Sequence, residues 1–238
     1  MRRGLLVVVV TVAAVFVTAA AETTTTTSAG TSTDEQLART GVLQRTDFPA
    51  DWQETARGTT SDKALDAQAA TIPTCKPFRT FSATNQRQPR AKSENFEEGQ
   101  SNVANTVSVF PTTDRAVAAI TTFRDARIAG CLQRLFTAVY RKQIEKTPKT
   151  AKQLKSVTTT LGRENGVRLG DDAVVYQGTL DVRLKNGTQQ VIGLGLVAVR
   201  AGRALAGYSW TSDKDISAAL QPAIVASVTR LQRATPTT

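Results

Sequence analysis

The sequence predicts an α+β domain: a mostly antiparallel sheet of about five to six strands with helices packed on one face. Two observations carry that expectation. Four successive runs, Val157–Leu161, Ala173–Leu184, Gln189–Arg200 and Arg203–Thr211, place apolar groups at every second position, the period of strands laid against a core. Two other stretches repeat every three to four residues, with Val117, Ile120, Ile128, Cys131, Leu135 and Val139 in one and Ile216, Leu220, Ile224, Val228 and Leu231 in the other. Such stripes belong to helices lying on a sheet.

The chain opens with Met1-Arg2-Arg3 and an apolar run from Gly4 to Ala21 that ends in three alanines. This predicts an export signal with an A-x-A cleavage site. At 18 residues the run is also at the lower limit for a membrane span, so residues 4–21 form an N-terminal anchor if they are not cleaved. Residues 22–33 (ETTTTTSAGTST) hold no large apolar group and read as a disordered linker, either a stalk or a remnant of processing. Residues 34–233 form the single domain, and 234–238 a frayed tail.

Within the domain, Asp34-Glu35-Gln36-Leu37 starts a helix, Pro49 closes that segment, and Trp52 packs on the core. Residues 54–92 are polar and small and read as a loop-rich insertion with one short helix at 62–70. Asn95–Glu98 and Val103–Phe110 flank Gly99–Asn102 as a hairpin. Pro111 stops the second strand, and Thr113 or Asp114 caps the long helix. Arg124 falls within that helix's apolar stripe and Gly130 weakens its middle, so either the helix bends near 126–130 or Arg124 points into a cleft. Asn186-Gly187 signals a type I′ turn, which accounts for the Asn-Gly-Thr sequon without glycosylation. Asp213 or Asp215 caps the last helix, where Pro222 predicts a kink or restart.

The sequence has no histidine, which removes the usual general base and zinc ligand and every Ser-His or Cys-His nucleophile. Glu97 and Glu98 are adjacent in a strand and point to opposite faces; Asp171-Asp172 follow Gly170 as a turn. No nucleophile elbow or phosphate-binding glycine loop occurs, and Gly193-Leu194-Gly195 sits in a strand as a site of close packing. The expectation is a non-enzymatic protein without cofactor or metal. In an exported chain the two cysteines pair, tying Cys75 to Cys131. Formal charge is +10, and 28 basic against 20 acidic residues remain once Arg2 and Arg3 are removed. Such a field favours anionic partners, namely phospholipid headgroups, wall polymers or acidic glycans, while nucleic acid is not expected of an exported chain. The basic residues are dispersed, however, and also serve solubility.

The run Asn105-Thr-Val-Ser-Val-Phe-Pro-Thr-Thr-Asp-Arg-Ala-Val-Ala-Ala-Ile-Thr-Thr-Phe, leading to Cys131, resembles a V-x-V-F-P strand end followed by an alanine-rich, cysteine-bearing helix in exported actinobacterial domains. Phe48-Pro-Ala-Asp-Trp52 is similar to their L-P-x-G-W segment. Over residues 34–233 the chain therefore resembles the extracellular sensor-like domain of PknH-type serine/threonine kinases and related envelope proteins. The resemblance implies an antiparallel sheet flanked by helices, a ligand cleft and disulfides that fix the helices. The chain departs from it in holding no kinase domain and in having cysteines for one bridge where the kinase sensor has two.

The expected function is that of an exported envelope protein whose cleft takes an anionic or amphipathic envelope molecule, a lipid or a glycan. Arg124, Arg127 and Arg134 are the candidate ligand contacts, with Trp52 and Trp210 as stacking surfaces. The alternative is a protein-interaction or structural wall module, in which those arginines are a solvated helix face and both tryptophans are core. The sequence does not indicate an oligomeric state.

Overall fold

The computed structural model describes residues 33–57 and 62–235. The export signal or anchor, nearly all of the linker and the last three residues of the tail lie outside the described residues. Among the described residues eight strands form one antiparallel sheet: β1 (Gln53–Thr55), β2 (Arg90–Lys92), β3 (Asn95–Glu98), β4 (Ser101–Val109), β5 (Leu154–Glu164), β6 (Asp172–Leu184), β7 (Gln189–Ala201) and β8 (Ala204–Ser212). Their order is β1-β3-β4-β8-β7-β6-β5, with β2 beside β3 on the same edge of β4. Among the described residues seven α-helices accompany them: α1 (Thr33–Thr40), α2 (Asp62–Ala70), α3 (Lys76–Gln86), α4 (Thr113–Phe123), α5 (Arg127–Glu145), α6 (Pro148–Gln153) and α7 (Ser217–Ala234).

The α+β class and the antiparallel sheet are as expected, but helices cover both faces of the sheet and its strands number eight. Val174, Tyr176, Leu194, Leu196 and Ala198 point into one core, which α2 to α5 close. Their neighbours Val175, Val197 and Val199 point into a second, closed by α1 and α7. Alternation along a strand sends successive side chains to opposite faces, so a strand buried on both sides loses its polar positions. The continuous run Leu194 to Val199, apolar but for Gly195, is the signature of that double burial. The two additional strands, β1 and β2, have three residues each and are too short to show a period.

The long helix expected from Thr113 is two helices. Thr112, one residue earlier than expected, caps α4 by accepting the Arg115 N–H. The chain breaks at Arg124–Ala126, where Asp125 Oδ1 accepts the Arg127 N–H at 2.9 Å. The break carries Arg124 out of the apolar stripe, which resolves the conflict of a guanidinium among core side chains. Residues 54–92 are more regular than expected, with α2 and α3 both formed; Phe78 and Phe81 of α3 are buried in the first core. The hairpin at Asn186-Gly187 is not type I′, because among the described residues only glycines have positive φ. Lys185-Asn186 instead turn with ordinary angles, and Gly187 at φ 87° follows as the left-handed residue of a three-residue hairpin loop. Asp215 accepts the Ser217 N–H at the start of α7, and the helix continues through Pro222 without restarting. The carbonyl that Pro222 leaves unbonded belongs to exposed Ala218, where water can satisfy it.

A buried polar network fastens the loop after α1 to the second core. Asn105, wholly buried in β4, accepts from the Leu43 N–H and donates to the Gly41 carbonyl. Ser227 donates to the same carbonyl, so its one proton is used and the Tyr208 hydroxyl, 2.8 Å away, donates to it. Arg230 grips Asp47 through both carboxylate oxygens and donates to the Thr40 and Val42 carbonyls. Tyr140 in the first core is the opposite case, buried with no partner for its hydroxyl among the described residues. A buried hydroxyl without a hydrogen bond destabilises, whereas a paired one contributes. Tyr140→Phe is therefore expected to stabilise the protein by about 1 kcal/mol and Tyr208→Phe to destabilise it by about 1 kcal/mol. Urea denaturation of the two variants checks the signs, and shifts of the same sign would contradict the assignment.

Candidate functional site

A groove of about 510 Å³ runs along the outer side of α5. Gln133, Arg134, Thr137, Ala138, Arg141, Lys142 and Glu145 of α5 line it, with Gln68 from α2 and Thr159 from β5. The α5 residues recur at steps of three or four, because the opposite stripe (Leu132, Leu135, Phe136, Tyr140, Ile144) is buried in the first core. Two contacts fix α5 against the sheet here. Gln133 donates to the Leu161 carbonyl at 2.8 Å, and Thr137 Oγ1 accepts the Thr159 N–H at 3.2 Å and donates to its hydroxyl. Among the described residues no carboxylate pairs with Arg134, Arg141 or Lys142. Glu145 is the one acidic residue in the lining.

The three arginines singled out from the sequence have different settings. Arg124 leaves the end of α4 to pair with Asp172 of β6 at 2.5 Å, and its carbonyl accepts from Arg163. Arg127 folds back on Asp125 through two side-chain contacts. Hydrogen bonds from Arg127, first from the side chain and then from the backbone, hold the Asp125 carboxyl at about 2, below its ordinary 3.8. Only Arg134 lines the groove. A folded-state pKa that is depressed means the carboxylate contact persists as pH falls below 3.8 and is lost as pH passes through about 2. The Asp125 carboxyl resonance is accordingly expected to titrate near 2 in the wild type and to return toward 3.8 in Arg127→Ala.

The tryptophans lie on the other side of the sheet. Trp52 is 3% exposed and stacks on Phe48, which stacks in turn on Phe96. Trp210 is half-buried, its ring covering Gly195 of β7 so closely that a Cβ there would overlap it. That contact is the reason for glycine at this point of a strand. Both indoles belong to the second core, so the structure does not bring them together with the arginines of α5. Cys75 and Cys131 form a disulfide with both residues fully buried, tying the turn before α3 to the middle of α5.

No established protein family and no curated protein matches the sequence. Among solved structures, the extracellular domain of PknH from Mycobacterium tuberculosis is similar to 68% of this chain, over 76% of that domain, at 11% identity and a TM-score of 0.36. This is a weak likeness of fold.

Sequence reasoning missed most of the groove. Arg141 follows Arg134 by seven residues and so shares its flank of the helix, a spacing visible in the sequence. Lys142 and Glu145 follow once that flank is known. Gln68 and Thr159 come from other elements and carry no local signal. Among the described residues no helix is long and apolar enough to cross a membrane, and no three His, Cys, Asp or Glu side chains cluster as metal ligands.

Proposed function

We propose that this protein is an exported, non-enzymatic binding module that takes an anionic envelope ligand in the groove along α5. The observation that carries this reading is the set of three cations, Arg134, Arg141 and Lys142, beside a neutral hydrogen-bonding wall and without carboxylate partners among the described residues. Elsewhere the fold neutralises many of its cations: Arg183 pairs with Asp181, Arg200 with Asp171, Arg203 with Asp34, Lys214 with Glu98 and Arg230 with Asp47. Cations left unpaired in one concave strip raise the local concentration of anions and provide bidentate donors for carboxylate or phosphate. The buried Cys75–Cys131 bridge supports export, since such bridges persist in oxidising compartments. A histidine-free chain supports binding over acid–base catalysis. Ala138 is the one apolar residue in the lining, which favours a hydrophilic ligand over an amphipathic one.

Binding to an immobilised polyanion, dextran sulfate, at two salt concentrations tests the proposal. An Arg134→Ala, Arg141→Ala variant is expected to bind at least about tenfold more weakly and to lose part of its salt sensitivity. Arg183→Ala, which removes a cation paired with Asp181 outside the groove lining, serves as the control of equal net-charge change per residue. Equal weakening by Arg183→Ala would mean that overall charge, and no particular groove, governs binding.

A further inference from the structure

We propose that the ligand of this groove is a linear acidic glycan lying along α5, a saccharide chain with carboxylates at intervals. This rests on the anionic-ligand reading above. The α5 lining extends from Gln133 to Glu145, about 18 Å of helix at 1.5 Å per residue. Arg134 and Arg141 are close to two full turns apart and so stand nearly in line, about 10 Å from one another along the axis. For one small anion to meet both, the two guanidinium groups would have to lean together against their mutual repulsion. A chain with repeated anionic groups meets each in its own place.

The composition of the lining narrows the chemistry. Between the two arginines lie Thr137 and Ala138, and Thr159 and Gln68 face the same space. Gln133 has donated to the Leu161 carbonyl, which leaves its Oε1 as an acceptor. The Thr137 proton is already given to Thr159, so the Gln133 and Gln68 amides beside the guanidinium groups supply the neutral partners, and together they complement a ligand that carries hydroxyls as well as carboxylates. An acyl chain finds no apolar floor here. A nucleic acid strand finds no aromatic side chain in the lining on which to stack its bases. Glu145 ends the cationic strip, and its carboxylate opposes an anionic chain extending past the C-terminal end of α5.

Titration calorimetry of the full exported chain with galacturonic acid, hexagalacturonate and a polyphosphate of matched charge tests this. The hexasaccharide is expected to bind about a hundredfold tighter than the monosaccharide, because successive contacts act within one molecule, and tighter than the polyphosphate. Arg134→Ala and Arg141→Ala should each weaken hexagalacturonate binding about tenfold. Glu145→Gln should strengthen it, a gain that no loss of folding imitates. Equal affinity for monosaccharide and hexasaccharide would overturn the linear ligand and leave the anionic reading standing. Polyphosphate binding as tight as hexagalacturonate would overturn the saccharide on the same terms. Absence of binding by all three probes would sink both.

Discussion

A Cys75→Ala, Cys131→Ala variant is expected to lose about 4 kcal/mol of stability, the chain-entropy value for a bridge of this span. The two cysteines are 56 residues apart in sequence, so without the bridge the unfolded chain gains the freedom of that whole loop. The loss should not be uniform across the native state either. Cys75 holds the segment that carries α2 and α3 onto α5, whereas β6, β7 and β8 are held by continuous antiparallel ladders. Amide exchange should rise first over 62–86 while the central strands stay protected. Because Gln68 of α2 is one wall of the groove, anion binding should weaken with it. Urea denaturation gives the stability change; a loss below about 1 kcal/mol, with exchange unchanged over 62–86, would show that packing alone fastens this segment.

Phe123→Ala is expected to cost about 4 kcal/mol, within the range for deleting a buried phenyl ring. Phe123 is fully buried at the end of α4. Its ring stacks on Phe81 of α3 at 4.7 Å and meets Tyr176 of β6 edge-on at 5.2 Å, so one side chain joins two helices to the sheet. Its carbonyl accepts the Tyr176 hydroxyl at 2.9 Å, a bond that an alanine keeps only if the end of α4 stays in place. Phe123→Leu retains most of the volume and should cost less than about 1.5 kcal/mol. Thermal or urea unfolding of the pair separates lost volume from lost aromatic geometry, and equal costs would point to the latter.

The four late strands and the last helix were readable because each is a long apolar-rich run bounded by turn or capping residues. The second covered face was readable too, in the unbroken apolar run of β7, but a period-two reading assigns such a run a polar side it does not have. The break between α4 and α5 was half visible. Arg124 within an apolar stripe announced a conflict, while its resolution depends on Asp172, 48 residues away. Arg127 turns back on Asp125 in the Asx turn that opens α5, a turn that is visible only once the break between the helices is known. The groove was the least legible part. Its cations share a helix flank, but its concavity comes from α2, which is docked by a disulfide, and from β5, which arrives late in the chain. Trp52 and Trp210, which the sequence offered either as stacking surfaces or as core, pack with the second core; the choice stayed open because an aromatic ring carries no mark of which face of a sheet it covers.

The contacts of Gln133 and Thr137 with β5 have a consequence for the molecule among its own copies. β5 is the long outer strand of the sheet, eleven residues of backbone that could template a neighbour's strand. The Leu161 carbonyl and the Thr159 N–H, two of the groups such a neighbour would need, are already bonded to side chains of α5. At the opposite border the last strand is β1, only three residues long. The described domain therefore presents neither border as a ready seed for edge-to-edge aggregation, and the helix that supplies the basic groove also guards the sheet.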